Sequence, residues 1–260
     1  MVKRKTALVT VAICAILLLL YELALGDMLL SSLDEMTRYL ADMAITRALG
    51  AAAFAVILLY LGYKALLPNR AALWQGVAFG LPAFAVAINN FPFSCIIRGE
   101  AVITAPVGRI ILLILECISV ALFEELAFRG VVLLGFVEKA RSRLGLFVAI
   151  ILSSAVFGVI HLLNLFTSSP AAVIMQIGYS FLIGGMCAVI LLKTKNIWLC
   201  VASHAIFNFG GAIISTCGQG EIWDSFTVIF TAILALATFV YMLVAFLKID
   251  MSSVDEIYEK

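Results

Sequence analysis

Between Thr6 and Leu247 the chain carries eight apolar stretches, separated by short polar breaks, at approximately 6–25, 48–67, 71–91, 106–136, 145–167, 170–192, 196–216 and 225–247. A bilayer core of about 30 Å is crossed by about 20 apolar residues wound as a helix. The stretches therefore predict eight spans, which use nearly the whole sequence. Hydrophobic residues make up 64% of the 260 and charged residues only 13%, against about 25% charged in a soluble domain. A soluble protein of this size has no means of hiding so much apolar surface. A soluble enzyme, a disordered chain and a secreted disulfide scaffold are thereby excluded. The expected fold is all-α: one integral membrane domain over 1–260, with about eight transmembrane helices and a polar cavity within the bundle.

The first stretch follows Met1-Val2-Lys3-Arg4-Lys5 and is interrupted only by Glu22. It reads as an uncleaved anchor, although Ala24-Leu25-Gly26 resembles a signal-peptide cleavage site. The acidic segment with Asp27, Asp34, Glu35 and Asp42 predicts an amphipathic surface helix ahead of the second span. The stretch 106–136 amounts to about 46 Å of helix, so it must tilt, protrude or break. Six scattered cysteines without a C-x-x-C pair read as small packing residues, with Cys95 and Cys217 close enough to helix ends to oxidise. Gly178, Gly184 and Gly185 are expected to let helices approach closely. Arg109 and Glu116, seven residues apart, are expected to pair.

Basic residues orient such a chain. With the N-terminus in the cytoplasm, Lys3, Arg4, Lys5, Lys64, Arg70, Lys139, Arg141, Arg143, Lys193, Lys195, Lys248 and Lys260 fall inside. Arg38, Arg47, Arg98 and Arg109 fall outside, and Arg129 lies within a span. The bias places both termini in the cytoplasm. No basic stripe with interleaved aromatics suggests nucleic acid. The expected partners are membrane lipids and a peptide or protein substrate.

Charge at membrane depth is costly and marks function. The fourth stretch contains Glu124-Glu125-Leu-Ala-Phe-Arg129, the fifth Phe157-Gly-Val-Ile-His161, and the seventh His204-Ala-Ile-Phe-Asn208. Glu125 and Arg129 have the i,i+4 order that favours an intrahelical pair. Glu124 is rotated about 100° away, which leaves it to accept a proton. His204 and Asn208 share a helix face, as do Phe157 and His161, where the ring could wall the imidazole. At 1.5 Å per residue, His204 and Glu124 lie about 14 and about 18 Å from the cytoplasmic ends of their helices. His161 lies about 20 Å from its own if the residues near Arg141 extend into the cytosol.

These three motifs, in order and on separate helices, resemble the type II CAAX prenyl endopeptidases and the wider CAAX-protease and bacteriocin-processing (CPBP, Abi) intramembrane protease family, with the core match over about 105–215. The resemblance implies an intramembrane endopeptidase in which Glu124 and His161 activate water and His204 and Asn208 stabilise the oxyanion. Glu125, Arg129 and Phe157 would give structural support. It allows a prenylated or other membrane-associated substrate, and the short loops suit a compact protein of the bacterial plasma membrane. Glu124, His161 and His204 would also make a His₂Glu zinc set. However, H-E-x-x-H spacing is absent and one glutamate does not easily serve as both ligand and base, so a metal-free reaction is expected. Two other readings stand beside it: a non-catalytic immunity or scaffold protein, and a proton-coupled transporter relaying through Glu124 and His161.

Overall fold

A computed structural model describes residues 26–63 and 72–257, with a few more between 13 and 21. The first expected span therefore lies almost wholly outside the described residues, as do Lys64, Arg70 and the terminal lysines. After a short α1 (Gly26–Leu30), α2 runs unbroken from Glu35 to Leu61. Asp34 caps it by accepting from the Thr37 amide, and Gly62 ends it with φ 75°. The separate surface helix expected over the acidic segment does not form. Nothing between Asp34 and Gly50 breaks a helix, so the acidic turns simply begin the span. The 27 residues make about 40 Å of helix.

The chain continues through α3 (Leu73–Asn89), α4 (Phe93–Ile97), β1 (Ala101–Ile103) and α5 (Val107–Glu125). Beyond Glu125 the helix rewinds as a π-helix over Leu126–Leu133 and closes with α6 (Leu134–Val137). The overlong fourth stretch is thus one rod whose winding changes midway. Next come α7 (Arg143–Ile160) with a 3₁₀ continuation His161–Phe166, α8 (Pro170–Thr194), α9 (Ile197–Cys217), β2 (Gly218–Gly220), α10 (Ser225–Leu247) and α11 (Met251–Val254).

Among the described residues, five helices have the length and hydropathy of a membrane span: α2, α7 with its continuation, α8, α9 and α10. The apolar α3 is shorter, with 17 residues. The α5 rod carries the charges that the site uses. The chain is an all-α integral membrane protein; the number eight was an expectation, and five is what length and composition support here. Ile229, Ile233 and Leu236 on α10 are 61–65% exposed, as suits a helix facing lipid.

Helices α2 and α5 pack side by side, α7 lies on α8, and α9 lies against α5 and α3. Gly184 brings α8 against Ser154 of α7, where an added Cβ would meet the serine Cα at 3.2 Å. Gly178 opposes nothing within 4 Å, contrary to the packing role expected for it, because its side of α8 opens away from neighbours.

Polar contacts gather at the two ends of the bundle. At one end Tyr63 donates to Glu138, Lys195 pairs with Glu256, and Arg143 donates to the carbonyls of Phe246 and Ile249, closing the C-terminus of α10. At the other, Arg109 pairs with Asp34 at 2.9 Å and Arg98 with Asp224 at 3.3 Å. Arg109 therefore does not pair with Glu116 as expected, since the cap residue of the neighbouring helix is the nearer acid. A small antiparallel ribbon, Ala101 opposite Gly220 and Ile103 opposite Gly218, also closes this end. Here Gly220 has φ 111°, and a Cβ would strike the Glu100 carbonyl at 2.1 Å. Cys95 and Cys217 share the buried cluster beneath the ribbon as free thiols, with no disulfide between them.

One buried apolar cluster includes Leu126, Leu133, Leu146, Leu191 and Cys200; a second includes Leu113, Cys117, Ile213 and Cys217. Along α5 and α9 the motif residues lie between the two clusters. That interval is where the bundle gathers its buried polar side chains.

Candidate active site

Glu124 and Glu125 are the last residues before α5 loosens into the π-helix, and Arg129 lies within it. π-segments are frequent at functional sites because they turn side chains off the α-helical register. Arg129 Nε stands 3.1 Å from Glu125 Oε2, with the two side chains 1% and 0% exposed. The Glu125 carboxylate has a second partner, which the sequence did not indicate: His204 Nδ1 donates to its Oε1 at 2.8 Å. His204 Nε2 stands 3.5 Å from Glu124 Oε2. One imidazole thus lies between the two adjacent acids. Ionisable groups at membrane depth pair with one another, and here Glu124, Glu125, Arg129 and His204 do so in one cluster. Among the described residues no ion-pair contact joins Glu124 to His161.

Phe157 brings the three motifs together. Arg129 Cζ lies 4.1 Å from the centroid of its ring, a cation–π geometry. The His161 ring meets it edge-on at 5.2 Å and the His204 ring at 5.9 Å. The two histidines therefore flank one phenyl ring whose face covers the guanidinium. Arg129 Nη1 and Nη2 are buried with no hydrogen-bond acceptor among the described residues, so the ring is a principal neighbour of that charge.

α7 was expected to stay helical through His161; it tightens to 3₁₀ there. The His161 amide turns to the carbonyls of Gly158 and Val159, and the side chain takes the Phe157 carbonyl through Nδ1 at 2.8 Å. A carbonyl can only accept, so Nδ1 carries the proton. In the neutral ring, Nε2 then holds the free lone pair.

Asn208 lies one turn beyond His204, half-buried, and its carboxamide makes no hydrogen bond among the described residues. The carbonyl of the preceding Phe207 accepts from Asn90 Nδ2 at 2.7 Å. Asn90 was not singled out in the sequence, where it lies within the third stretch. Gly210 admits it: a Cβ there would lie 2.7 Å from the Phe91 nitrogen. Tyr179, also missed, is 42% exposed, meets the Phe207 ring at a tilt with centroids 5.7 Å apart, and lies in electrostatic range of Glu124.

The 3.5 Å between Glu124 Oε2 and His204 Nε2 suits two ligands of one ion, and a histidine held through Nδ1 is the usual ligand arrangement. Yet the donor atoms that gather within 4.8 Å of one another, among the described residues, are those of Glu125, Cys187 and Cys200, and of Cys95, Glu100 and Asp224. Glu124, His161 and His204 do not close into such a set.

Residues 106–210 match the family described as type II CAAX prenyl endopeptidase Rce1-like. Over that segment the chain is Rce1-like. All seven motif residues lie inside the matched segment, which runs from the start of α5 into the second half of α9. No curated protein and no solved structure matches the chain. The apolar helices make this an integral membrane protein, and over residues 106–210 it is similar to the CAAX protease family, whose name suggests a hydrolase acting on peptide bonds.

Proposed function

We propose that the protein is an intramembrane endopeptidase that hydrolyses membrane-associated peptides with a water activated by Glu124 and His161. What supports it most is the half-open Glu124 carboxylate, 20% exposed beside a Glu125 that is fully buried and already paired twice. Of two adjacent acids, one is consumed by structure and the other keeps a free oxygen.

In this reading Glu124 takes a proton from water, and the His161 Nε2 lone pair helps to hold that water. The hydroxide adds to the scissile carbonyl. General base catalysis of this kind contributes about 10²- to 10⁴-fold. The oxyanion meets His204 Nε2–H and the Asn208 carboxamide, and one such donor is worth about 10²- to 10³-fold in rate. The protonated Glu124 then gives its proton to the leaving amine. No step uses a metal. If an ion were bound by Glu124 and His204, it would polarise water or carbonyl in place of the base.

The substrate is a peptide or protein held at the membrane, prenylated where it is of CAAX type, and the termini of the enzyme lie in the cytoplasm of a bacterial cell. The test is cleavage of candidate membrane peptides by the purified protein in lipid nanodiscs, by wild type and by Glu124→Gln, with and without chelator. Loss of cleavage in the variant and none with chelator is expected. Equal cleavage by both proteins removes Glu124 as base, and loss with chelator replaces the metal-free reaction.

A further inference from the structure

Helix α8 supplies no residue to the three motifs, yet it lies at their level. Gly158, which follows Phe157 and precedes His161, seats it: a Cβ there would meet the Ile177 carbonyl at 3.0 Å and the Phe181 Cβ at 3.6 Å. Tyr179 lies midway between those two contacts along α8 and turns to α9, where its ring meets Phe207 with centroids 5.7 Å apart. Phe207 immediately precedes Asn208. Glu124 lies in electrostatic range of the phenol. A fourth helix thus brings a polar side chain to the place where the motifs meet.

The Tyr179 hydroxyl makes no hydrogen bond among the described residues, and the side chain is 42% exposed. A polar group without a partner is costly at membrane depth, so this one is expected to meet something that enters the site. A phenol keeps its proton at neutral pH, and beside an acid it offers a donor.

The proposed oxyanion has use for that donor. His204 Nδ1–H is committed to Glu125 at 2.8 Å. Nε2 has Glu124 Oε2 at 3.5 Å, so a proton there is shared between that carboxylate and the oxyanion. Asn208 remains as an undivided donor on α9. Sites for a developing oxyanion combine several such donors, and tyrosine serves among them.

We propose that Tyr179 is a further catalytic residue, whose phenol O–H donates to the oxygen of the scissile carbonyl as that oxygen becomes negative. This rests on the endopeptidase reading and adds to its oxyanion site a donor from outside the three motifs. Hydroxide adds to the carbonyl carbon, and the C=O π pair moves onto oxygen, where Tyr179 holds it without giving up its proton. On collapse the pair re-forms C=O, the C–N bond breaks, and the amine takes its proton from Glu124.

The experiment uses full-length protein in nanodiscs, a membrane peptide that the wild type cleaves, and a phosphinate peptide of the same sequence as a stable tetrahedral anion. Tyr179→Phe removes one oxygen and keeps the ring against Phe207. Its kcat is expected to fall about 10²-fold with KM and the unfolding midpoint unchanged. Its affinity for the phosphinate is expected to fall by the same factor as kcat/KM, while affinity for the product peptide holds. Tyr179→Leu, which also loses the ring, is expected to show the same kcat. Wild-type kcat in Tyr179→Phe overturns the proposal. So does a raised KM with kcat intact, which makes Tyr179 a ground-state contact, or a lowered kcat with phosphinate affinity unchanged, which makes it structural. Glu124→Gln is run on the same peptide. Full activity there sinks the hydrolytic reading and this donor with it, whereas an unimpaired Tyr179→Phe with Glu124 still essential sinks the donor alone.

Discussion

His204 donates its Nδ1–H to the Glu125 carboxylate at 2.8 Å in the core, where the two side chains are 6% and 0% exposed. That bond fixes what the other ring nitrogen can be. In the neutral ring Nε2 would turn a lone pair toward Glu124, 3.5 Å away. A proton must sit on Nε2 or on Glu124 for that contact to be attractive.

Breaking the buried pair should separate stability from chemistry. Glu125→Leu alone leaves Arg129 buried and uncompensated, at a cost of about 3–5 kcal/mol. Glu125→Leu with Arg129→Met replaces both charges with apolar groups of similar size, and most of that stability returns. Cleavage stays low in both variants, because His204 has lost the acceptor that orients it. Thermal unfolding in detergent and peptide cleavage are the measurements. Recovery of activity in the double variant would show that the pair does no more than fill space.

Phe157 touches all three motifs. Phe157→Ala removes a buried ring, for which about 3–5 kcal/mol is usual, and uncovers the Arg129 guanidinium. Phe157→Leu keeps most of the volume and loses the cation–π face, so it should cost less stability while still lowering kcat. Unfolding midpoints and kcat for the two variants check this. An unchanged kcat in Phe157→Leu would reduce the ring to packing alone.

What could be read beforehand depended on range. Glu125 and Arg129 are four residues apart on one helix, so their pairing followed from spacing. Glu125 and His204 come from helices 79 residues apart in the chain, and no periodicity encodes that contact. The spans of α8, α9 and α10 were legible because long apolar runs admit one structure in a bilayer. The start of α2 was misplaced, since polar residues suggested a surface helix where no breaker interrupts the chain; Arg47 moved inward with it. The ribbon of Ala101–Ile103 with Gly218–Gly220 is three residues long on each side, too short for an alternating pattern to show.

Gly210 lets the end of α3 touch α9 where Asn90 holds the Phe207 carbonyl. In Gly210→Ala a methyl would lie 2.7–2.8 Å from backbone atoms of Phe91 and Asn90, which cannot rotate away. Overpacking of this kind costs about 1–3 kcal/mol. It also shifts the turn that carries Asn208, so kcat should fall more than KM rises. Asn90→Ala should repeat the loss of kcat without the clash. If Asn90→Ala keeps full kcat, the contact has no bearing on Asn208.

At the ribbon end of the bundle, Asp224 caps α10 and accepts from Ser94 Oγ at 2.6 Å and from the Thr227 amide at 2.7 Å, with Arg98 beside it. Hydrogen bonds from Ser94 and Thr227, then the Arg98 charge, lower its pKa from the ordinary 3.8 to about 2. A carboxyl whose folded value is depressed stabilises the fold fully above its unfolded value, and the contribution disappears as pH falls through the folded one. Unfolding midpoints in detergent should therefore drop between about pH 4 and about pH 2. Asp224→Asn, which can still cap the helix, should start lower at neutral pH and lose less on acidification. Parallel curves for wild type and variant would assign the acid sensitivity to other groups.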